Sequence, residues 1–375
     1  MTRPGFIHRW EQDLKGRADF RNLDDTFLQT LKMLSPGSML QTGLENILRA
    51  RTGGLLVVGD YPEVLALCNG GFRIDAEFSP AALYELAKMD GAIILSHDAK
   101  RILLANTELT PDPATPTTET GTRHRTAQRV AKQTDALVLA ISQRRNIITV
   151  YRGDMRYVLR DVSVILTKAN QALATLERYK NVLEQALSSL SALEFEGLAT
   201  VHDVITCLQR ALMVDRVANE IELYVAELGT EGRLVSMQLE ELMMNIKDEG
   251  ALVVKDYIAA DKADLADEVM ESLARWSSEE LLDQQQIARA LALGGSNVNL
   301  ESAVIPRGHR ILHKISRLPT VVIENLVHTF GTLPAVFNAT IAELDAVEGI
   351  GEVRARMIKE GLRRLREQTL LDPRI

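Results

Sequence analysis

Two short segments of this 375-residue chain set groups capable of phosphate chemistry beside small residues. The first is Met89-Asp90-Gly91-Ala92, followed at once by the apolar run Ile93–Ser96. A carboxylate with Gly91 and Ala92 after it has little side-chain bulk beside it, so a ligand's sugar and phosphates can approach the backbone closely. In that setting Asp90 can bind a divalent metal or orient a ribose hydroxyl, although an Asp-Gly pair alone is also a common turn signal. The second segment is Gly121-Thr122-Arg123-His124-Arg125-Thr126, between a stretch containing Pro111, Pro113 and Pro116 and a helix expected to begin near Thr126. A loop of small and hydroxyl residues that enters a helix offers free backbone N–H groups and the positive end of the helix dipole. Arg123 and Arg125 add charge and His124 another donor, so a triphosphate is the natural ligand. The glycine-rich loop of P-loop enzymes is excluded, because no Gly-x-x-x-x-Gly-Lys occurs.

The elements that must position these groups are legible in the hydropathy pattern. Gly54-Leu55-Leu56-Val57-Val58-Gly59 reads as a buried strand, and further strands are expected at Ile93–Ser96, Arg101–Asn106, Ala136–Ser142 and Ile147–Tyr151. Helical patterns cover Leu44–Ala50, Ala81–Lys88 and Thr126–Thr134. The fold class expected for residues 37–160 is therefore α/β, a mixed central sheet flanked by helices. Residues 1–36 read as an accessory segment with one helical stripe, Phe27, Leu28, Leu31, Met33 and Leu34. From Val162 to about Asn245 there is no proline, and Ala169, Leu173, Leu176, Tyr179, Leu183, Leu187 and Leu190 recur at helical spacing. Long helices are expected across an all-α spacer, 161–305, with a looser stretch at Gly294-Gly295-Ser296-Asn297. Pro306-Arg307-Gly308 marks the start of a small all-α unit, 306–375.

Charge follows the same divisions. Residues 1–160 carry 21 basic and 18 acidic side chains, 161–305 carry 11 and 25, and 306–375 carry 11 and 8, so the total of −8 is made of +3, −14 and +3. The acidic spacer argues against DNA contact by the middle of the chain and reads as a solvated helical surface. With 46% hydrophobic and 25% charged residues the chain is globular. No apolar run reaches membrane-spanning length and the start lacks a signal-peptide core, so a cytoplasmic protein is expected, with no membrane partner. Cys68 and Cys207 lie far apart in apolar surroundings and are expected to be buried, reduced thiols.

Taken in order, Lys88-Met89-Asp90-Gly91-Ala92, Ala105-Asn106, Leu109, Pro111-Asp112-Pro113, Gly121 through Ala127 and Ile141-Ser142-Gln143-Arg144-Arg145-Asn146 strongly resemble the diadenylate cyclase domain. With the spacer and the C-terminal unit, residues 40–370 are similar to the branch of that family that also binds branched DNA. The resemblance implies an enzyme that condenses two ATP into cyclic di-AMP with release of two pyrophosphates. It implies Asp90 as the catalytic and metal-binding aspartate, with Mg²⁺ or Mn²⁺ as cofactor. Gly91, Ala92 and Leu109 match positions that hold the nucleotide, Leu109 at the adenine. Thr122, Arg123, His124, Arg125 and Thr126 match the phosphate-binding segment, and Ser142 and Arg145 are further candidates for ATP contact. One departure is Gln128, where the family pattern has Glu. Two attacks in opposite directions require two sites facing across a two-fold axis. The implied assembly is a homo-octamer, nucleoid-associated, acting in DNA-integrity checkpoint signalling. A different class fits the same segments, a scaffold that binds DNA structures and only senses ATP or cyclic di-AMP.

Near the C-terminus, Leu344 to Ile358, with Gly349-Ile350-Gly351 at its centre, resembles a helix-hairpin-helix motif. The glycines permit a tight hairpin whose N–H groups reach a DNA phosphate, while Ile350 buries. Arg354, Arg356 and Lys359 follow on the second helix, and such contacts read backbone and shape. The partner implied is branched, Holliday-junction-like DNA, which in this family is expected to inhibit synthesis. An earlier stretch, Ile315 to Leu333, is expected to form a degenerate hairpin that packs against the first.

Overall fold

The computed structural model describes residues 25–294 and 298–371. Most of the N-terminal accessory segment and Gly295-Ser296-Asn297 of the looser stretch lie outside the described residues. Contacts divide the chain into two compact units, one holding the chain up to Ala169 together with Glu222–Ser236, the other Asn170–Ile221 together with Met237 onward.

The first unit is built on one mixed eight-stranded sheet. Its centre consists of β1 (Gly54–Val58), β4 (Ala92–Leu95) and β6 (Leu137–Ser142), apolar runs that read as strands because both of their faces are covered. β1 pairs parallel with β4 and antiparallel with β6, and β7 (Ile147–Arg152) and β8 (Met155–Val158) extend the β6 side. On the other side β5 (Arg101–Leu109) pairs with β4, β2 (Cys68–Asn69) and β3 (Phe72–Glu77). Leu56, Val58, Ile93, Leu95, Leu139 and Ile141 face one core with α1 (Asp25–Leu34), α2 (Met39–Arg49) and α4 (Pro80–Leu86). Leu55, Val57, Ile94, Val138 and Ala140 face the other, with α3 (Pro62–Ala66) and α5 (Thr122–Thr134). The expected strands and helices and the 27–34 stripe are present.

Four readings change. β3 was not anticipated, because five of its six residues are exposed and no apolar alternation marks it; its pairing with β5 and the Arg101–Asp75 ion pair at 2.8 Å hold it. The short strands β2 and β8 likewise carry no pattern of their own. Helix α5 begins at Thr122, not near Thr126, because Gly121 takes the extended N-cap conformation and its carbonyl accepts from Arg125 N at 2.8 Å. Cys207 is buried, whereas Cys68, on edge strand β2, is only half-buried; both thiols are free.

The second unit is helical. It takes most of α6 (Val162–Glu196), α7 (Val201–Leu228) and α8 (Arg233–Met243), then α9 (Glu249–Tyr257), α10 (Ala266–Ala274), α11 (Ser278–Leu282) and α12 (Gln284–Ala290). The α6 stripe is buried as expected except at Tyr179, which is 37% exposed. Five helices follow, α13 (His309–His313), α14 (Thr320–Phe330), α15 (Leu333–Asn338), α16 (Ile341–Asp345) and α17 (Glu352–Leu371), around one core that includes Ile323, Leu326, Leu344, Ile350, Ala355 and Ile358. A buried polar cluster ties α13 to the spacer helices. Arg310, with no exposed surface, pairs with Glu194 of α6, and Asp256 of α9 accepts from the backbone N–H groups of Gly308, His309 and Arg310 at 2.6–3.0 Å. His309 lies 3.2 Å from both Asp256 and Glu324; burial opposes its charge, but the two carboxylates win and raise its pKa.

Candidate functional sites

Sheet register brings the chemistry-bearing residues of the first unit to one end of the sheet. Leu56 pairs with Ile93 and Gly54 with Ile141, so the start of β1, the start of β4 and the end of β6 lie side by side. Ala92 pairs with Thr107, which carries Leu109, at the end of β5, to the same edge. Asp90, Gly91, Leu109, Ser142 and the turn bearing Arg145 therefore share one end. Arg123, on the first turn of α5, also reaches it: its guanidinium fills the space a Cβ on Gly53 would need. Gly53, just before β1, is thus a site residue that the sequence did not reveal.

Asp90 is exposed, and among the described residues its carboxylate has no hydrogen-bond or ion-pair partner. Gly91 is required for a reason different from the one expected. A Cβ there would overlap the Cα and carbonyl carbon of Asn106 and stand 2.7 Å from Thr107 N, so the strand beside it, not a ligand, occupies the space. Asn106 adopts a left-handed conformation (φ 53°) and its Oδ1 accepts the Gly91 N–H at 3.1 Å, which clamps the Asp90 turn to a bulged β5. Replacing Gly91 by Ala is expected to force β4 and β5 apart, lowering stability by about 2 kcal/mol in urea unfolding and reducing synthesis as Asp90 is displaced. Unchanged urea midpoint and rate would show that the clamp is unimportant.

Thr122, Arg123, His124, Arg125 and Thr126 form the first turn of α5. No side chain caps this helix at Gly121, so its first N–H groups remain available to an anion. Thr122 and Arg125 are exposed, Arg123 and Thr126 half-buried. His124 turns inward: its Nδ1 lies 3.0 Å from the Tyr151 hydroxyl, which donates to Glu119 Oε1 at 2.9 Å, and Arg156 Nε donates to the same oxygen at 2.6 Å. Burial works against the Glu119 charge, yet hydrogen bonds from Arg156 and Tyr151 leave its pKa lowered. Glu119, Tyr151 and Arg156 went unrecognised in the sequence because they come from a loop and two strands with no shared motif. Gln128, where Glu was expected, is buried; its Oε1 accepts from Thr117 Oγ1 at 2.5 Å and Thr118 N at 3.0 Å, pinning the proline-rich loop. Ser142 Oγ accepts from Arg145 N at 3.2 Å and shapes the turn, while Ala92 and Leu109 are buried in the core beneath α5.

No group of three or more His, Cys, Asp or Glu side chains suited to a metal occurs among the described residues. The lone, unpaired Asp90 fits a hard cation most of whose ligands come from phosphate oxygens, and does not fit a closed protein cage.

At the second site Gly349 has φ 82° and Gly351 faces open space, while Ile350 is buried between the flanking helices. Asn325 Nδ2 holds the loop through Glu348 O at 3.0 Å. Arg354 donates to Gly349 O, and Arg356 pairs with Glu352 at 2.5 Å on the exposed face. Lys359 is engaged in the fold, donating to the carbonyls of Phe337 and Ala339 at 2.5 and 2.7 Å. The 315–333 stretch packs in the same core as the hairpin, and Arg317, with φ 64°, turns its chain.

Three family descriptions match in chain order: "DisA bacterial checkpoint controller nucleotide-binding" over 41–155, "DisA bacterial checkpoint controller linker region" over 159–300, and "Helix-hairpin-helix motif" over 332–361. The DNA integrity scanning protein DisA of Carboxydothermus hydrogenoformans is 58% identical over 346 residues, 92% of this chain and 98% of that protein. That of Symbiobacterium thermophilum is 57% identical over 92% of this chain and 97% of its own length, and that of Clostridium perfringens strain 13 is 56% identical over 93% and 98%. No helix among the described residues is long and apolar enough to cross a membrane. Matching domains in the same order, at this identity over nearly the whole of each relative, mean that the chain belongs to the DNA integrity scanning protein DisA family of diadenylate cyclases.

Proposed function

We propose that this chain condenses two ATP into cyclic di-AMP and two pyrophosphates, and that branched DNA engaged by its hairpin lowers synthesis. The observation that carries the enzymatic half is the placement at one end of the sheet of both the Asp90 carboxylate, without a partner among the described residues, and the Arg123 guanidinium. In each half-reaction a ribose 3′-oxygen bonds to the α-phosphorus of the opposing ATP, the bond to pyrophosphate breaks, and the hydroxyl proton leaves towards Asp90. Arg123, Arg125, Thr122, Thr126 and the free N–H groups of α5 hold the triphosphate, with Arg145 and Ser142 at its rim and Leu109 on the adenine side. A divalent cation, Mg²⁺ or Mn²⁺, neutralises phosphoryl oxygens when bound, and Asp90 is the protein group that would hold it. Because each site binds one ATP, two subunits must face one another, within an octamer in our reading.

For DNA, the backbone N–H groups around Gly349-Ile350-Gly351 approach a phosphate, with Arg354 and Arg356 beside it and Lys359 holding α15 against α17. One hairpin per subunit binds weakly; several in an oligomer gain avidity on a junction that linear duplex does not offer. The test is synthesis from ATP and Mn²⁺ with and without a four-way junction, reading cyclic di-AMP by mass spectrometry and pyrophosphate in parallel. Product and pyrophosphate should appear together and fall when junction is added. Gly349→Val, strained at its left-handed φ by about 1–2 kcal/mol, should weaken junction binding about tenfold and leave DNA-free synthesis unchanged. Absence of pyrophosphate would favour the sensing scaffold instead.

A further inference from the structure

We infer that ATP binding is coupled to uptake of one proton by His124, because Tyr151 commits the single proton of the neutral imidazole to Nδ1. The inference rests on the reading above that the triphosphate sits at the first turn of α5. The Tyr151 hydroxyl lies between His124 Nδ1, 3.0 Å away, and Glu119 Oε1, 2.9 Å away. A phenol has one proton, and an ionised carboxylate can only accept. The phenol proton therefore goes to Glu119, a charge-assisted bond that outcompetes a neutral imidazole nitrogen. Arg156, at 2.6 Å from the same carboxylate oxygen, keeps Glu119 ionised. With its proton given away, the phenol oxygen must accept from His124, so Nδ1 carries the hydrogen and Nε2 the lone pair.

Nε2 has no partner among the described residues, and the ring edge that bears it faces the uncapped helix start: Cδ2 lies 3.8 Å from where a Cβ on Gly121 would stand. A lone pair aimed at a phosphate oxygen repels it. Protonating Nε2 turns that repulsion into a charge-assisted hydrogen bond, the proton being drawn from the buffer. In the free protein the imidazole is held neutral by burial and by Arg145 of the β6–β7 turn, Arg156 of β8 and Arg123 of its own helix, against the pull of Glu119 from the preceding loop. Burial and Glu119 also keep the Tyr151 phenol protonated. A bound triphosphate outweighs the arginines and reverses the balance at His124.

Calorimetric titration of the full-length protein with 3′-deoxyATP and saturating Mg²⁺, which binds without an attacking hydroxyl, reads this directly. Run at about pH 7.5 in HEPES and in Tris, whose ionisation enthalpies differ, the apparent heats should differ by uptake of about one proton per site, and affinity should fall about tenfold per pH unit. His124→Gln, which keeps a donor but cannot titrate, should bind with no buffer dependence. Tyr151→Phe frees the imidazole to carry its neutral proton on Nε2, so its proton uptake should drop while binding persists. If Tyr151 were merely structural, the phenylalanine variant would lose affinity and keep the wild-type proton count, contrary to the inference. Wild-type binding with equal heats in both buffers would overturn proton coupling alone; no binding of 3′-deoxyATP would overturn the placement of the triphosphate.

Discussion

Asp90→Asn is expected to remove cyclic di-AMP synthesis, with pyrophosphate release falling at least about 10³-fold, while leaving the fold in place. The size follows from what one carboxylate is asked to do. It accepts the proton of the attacking hydroxyl, a role worth about 10²–10⁴ in rate, and it supplies the only charged protein ligand proposed for the cation that neutralises the phosphoryl oxygens. An amide is isosteric but carries no charge and has little basicity. The structural cost is small because Asp90 is exposed and bonds to nothing among the described residues, and its turn is fixed by the Gly91–Asn106 clamp instead. Such surface changes usually stay within about 0.5 kcal/mol. The measurement pairs mass spectrometry of the product with a thermal melt. A variant that melts like the parent and still makes product within tenfold of its rate would remove Asp90 from the mechanism.

Much of this site is legible in the sequence, for physical reasons that differ from residue to residue. Asp90 and the Arg-His-Arg turn stand out because they interrupt apolar runs with small residues, and the runs themselves are fully covered strands and an amphipathic helix. Where the reading failed, tertiary packing had overridden local pattern. Gly91 looked like room for a ligand, but the chain 15 residues on fills that room, and only register between β4 and β5 reveals it. His124 looked like one more phosphate donor on equal terms with its neighbours; its Nδ1 instead lies 3.0 Å from Tyr151, a partner 27 residues away that carries no local signature, which leaves only Nε2 to face a phosphate. Gly53 matters only because an arginine from α5 crosses it. β3 escaped because an edge strand with two exposed faces has no hydrophobic period to read. In the hairpin domain the Gly-Ile-Gly pattern was plain, while the engagement of Lys359 by two carbonyls at the end of α15 depends on how α15 and α17 meet.

The other large effect expected concerns stability and not phosphate contact. Arg310→Ala should destabilise the helical unit by about 3–5 kcal/mol, because breaking one side of a buried ion pair strands the other. Arg310 has no exposed surface and pairs with Glu194, which also accepts from the Tyr257 hydroxyl at 2.7 Å; Glu249 stands 3.8 Å from a second guanidinium nitrogen. Burial already raises the Glu194 pKa while Arg310 holds it down, so removing the guanidinium leaves burial and the Asp256 charge to raise it further against the Tyr257 hydrogen bond alone. A carboxyl whose folded pKa lies above its unfolded value is most stabilising when protonated, below the unfolded pKa, and loses that contribution as pH rises through the folded one. The alanine variant should therefore lose least stability in acid and most at neutral pH, measured by urea unfolding at several pH values. Replacing both partners, Arg310→Met with Glu194→Leu, should recover most of the loss, since two buried charges are exchanged for packing. A single variant as stable as the parent at neutral pH would mean that Glu194 is already neutral. The same cluster bears on where the chain can be cut. A truncation before Pro306 removes His309 and Arg310, leaving Glu194 with the Tyr257 hydroxyl alone and Asp256 without the three N–H groups it accepts from, so a cyclase assay on it would report spacer damage together with loss of DNA contact. Point changes at Gly349 separate the two, because they leave α13 in its place between the spacer helices.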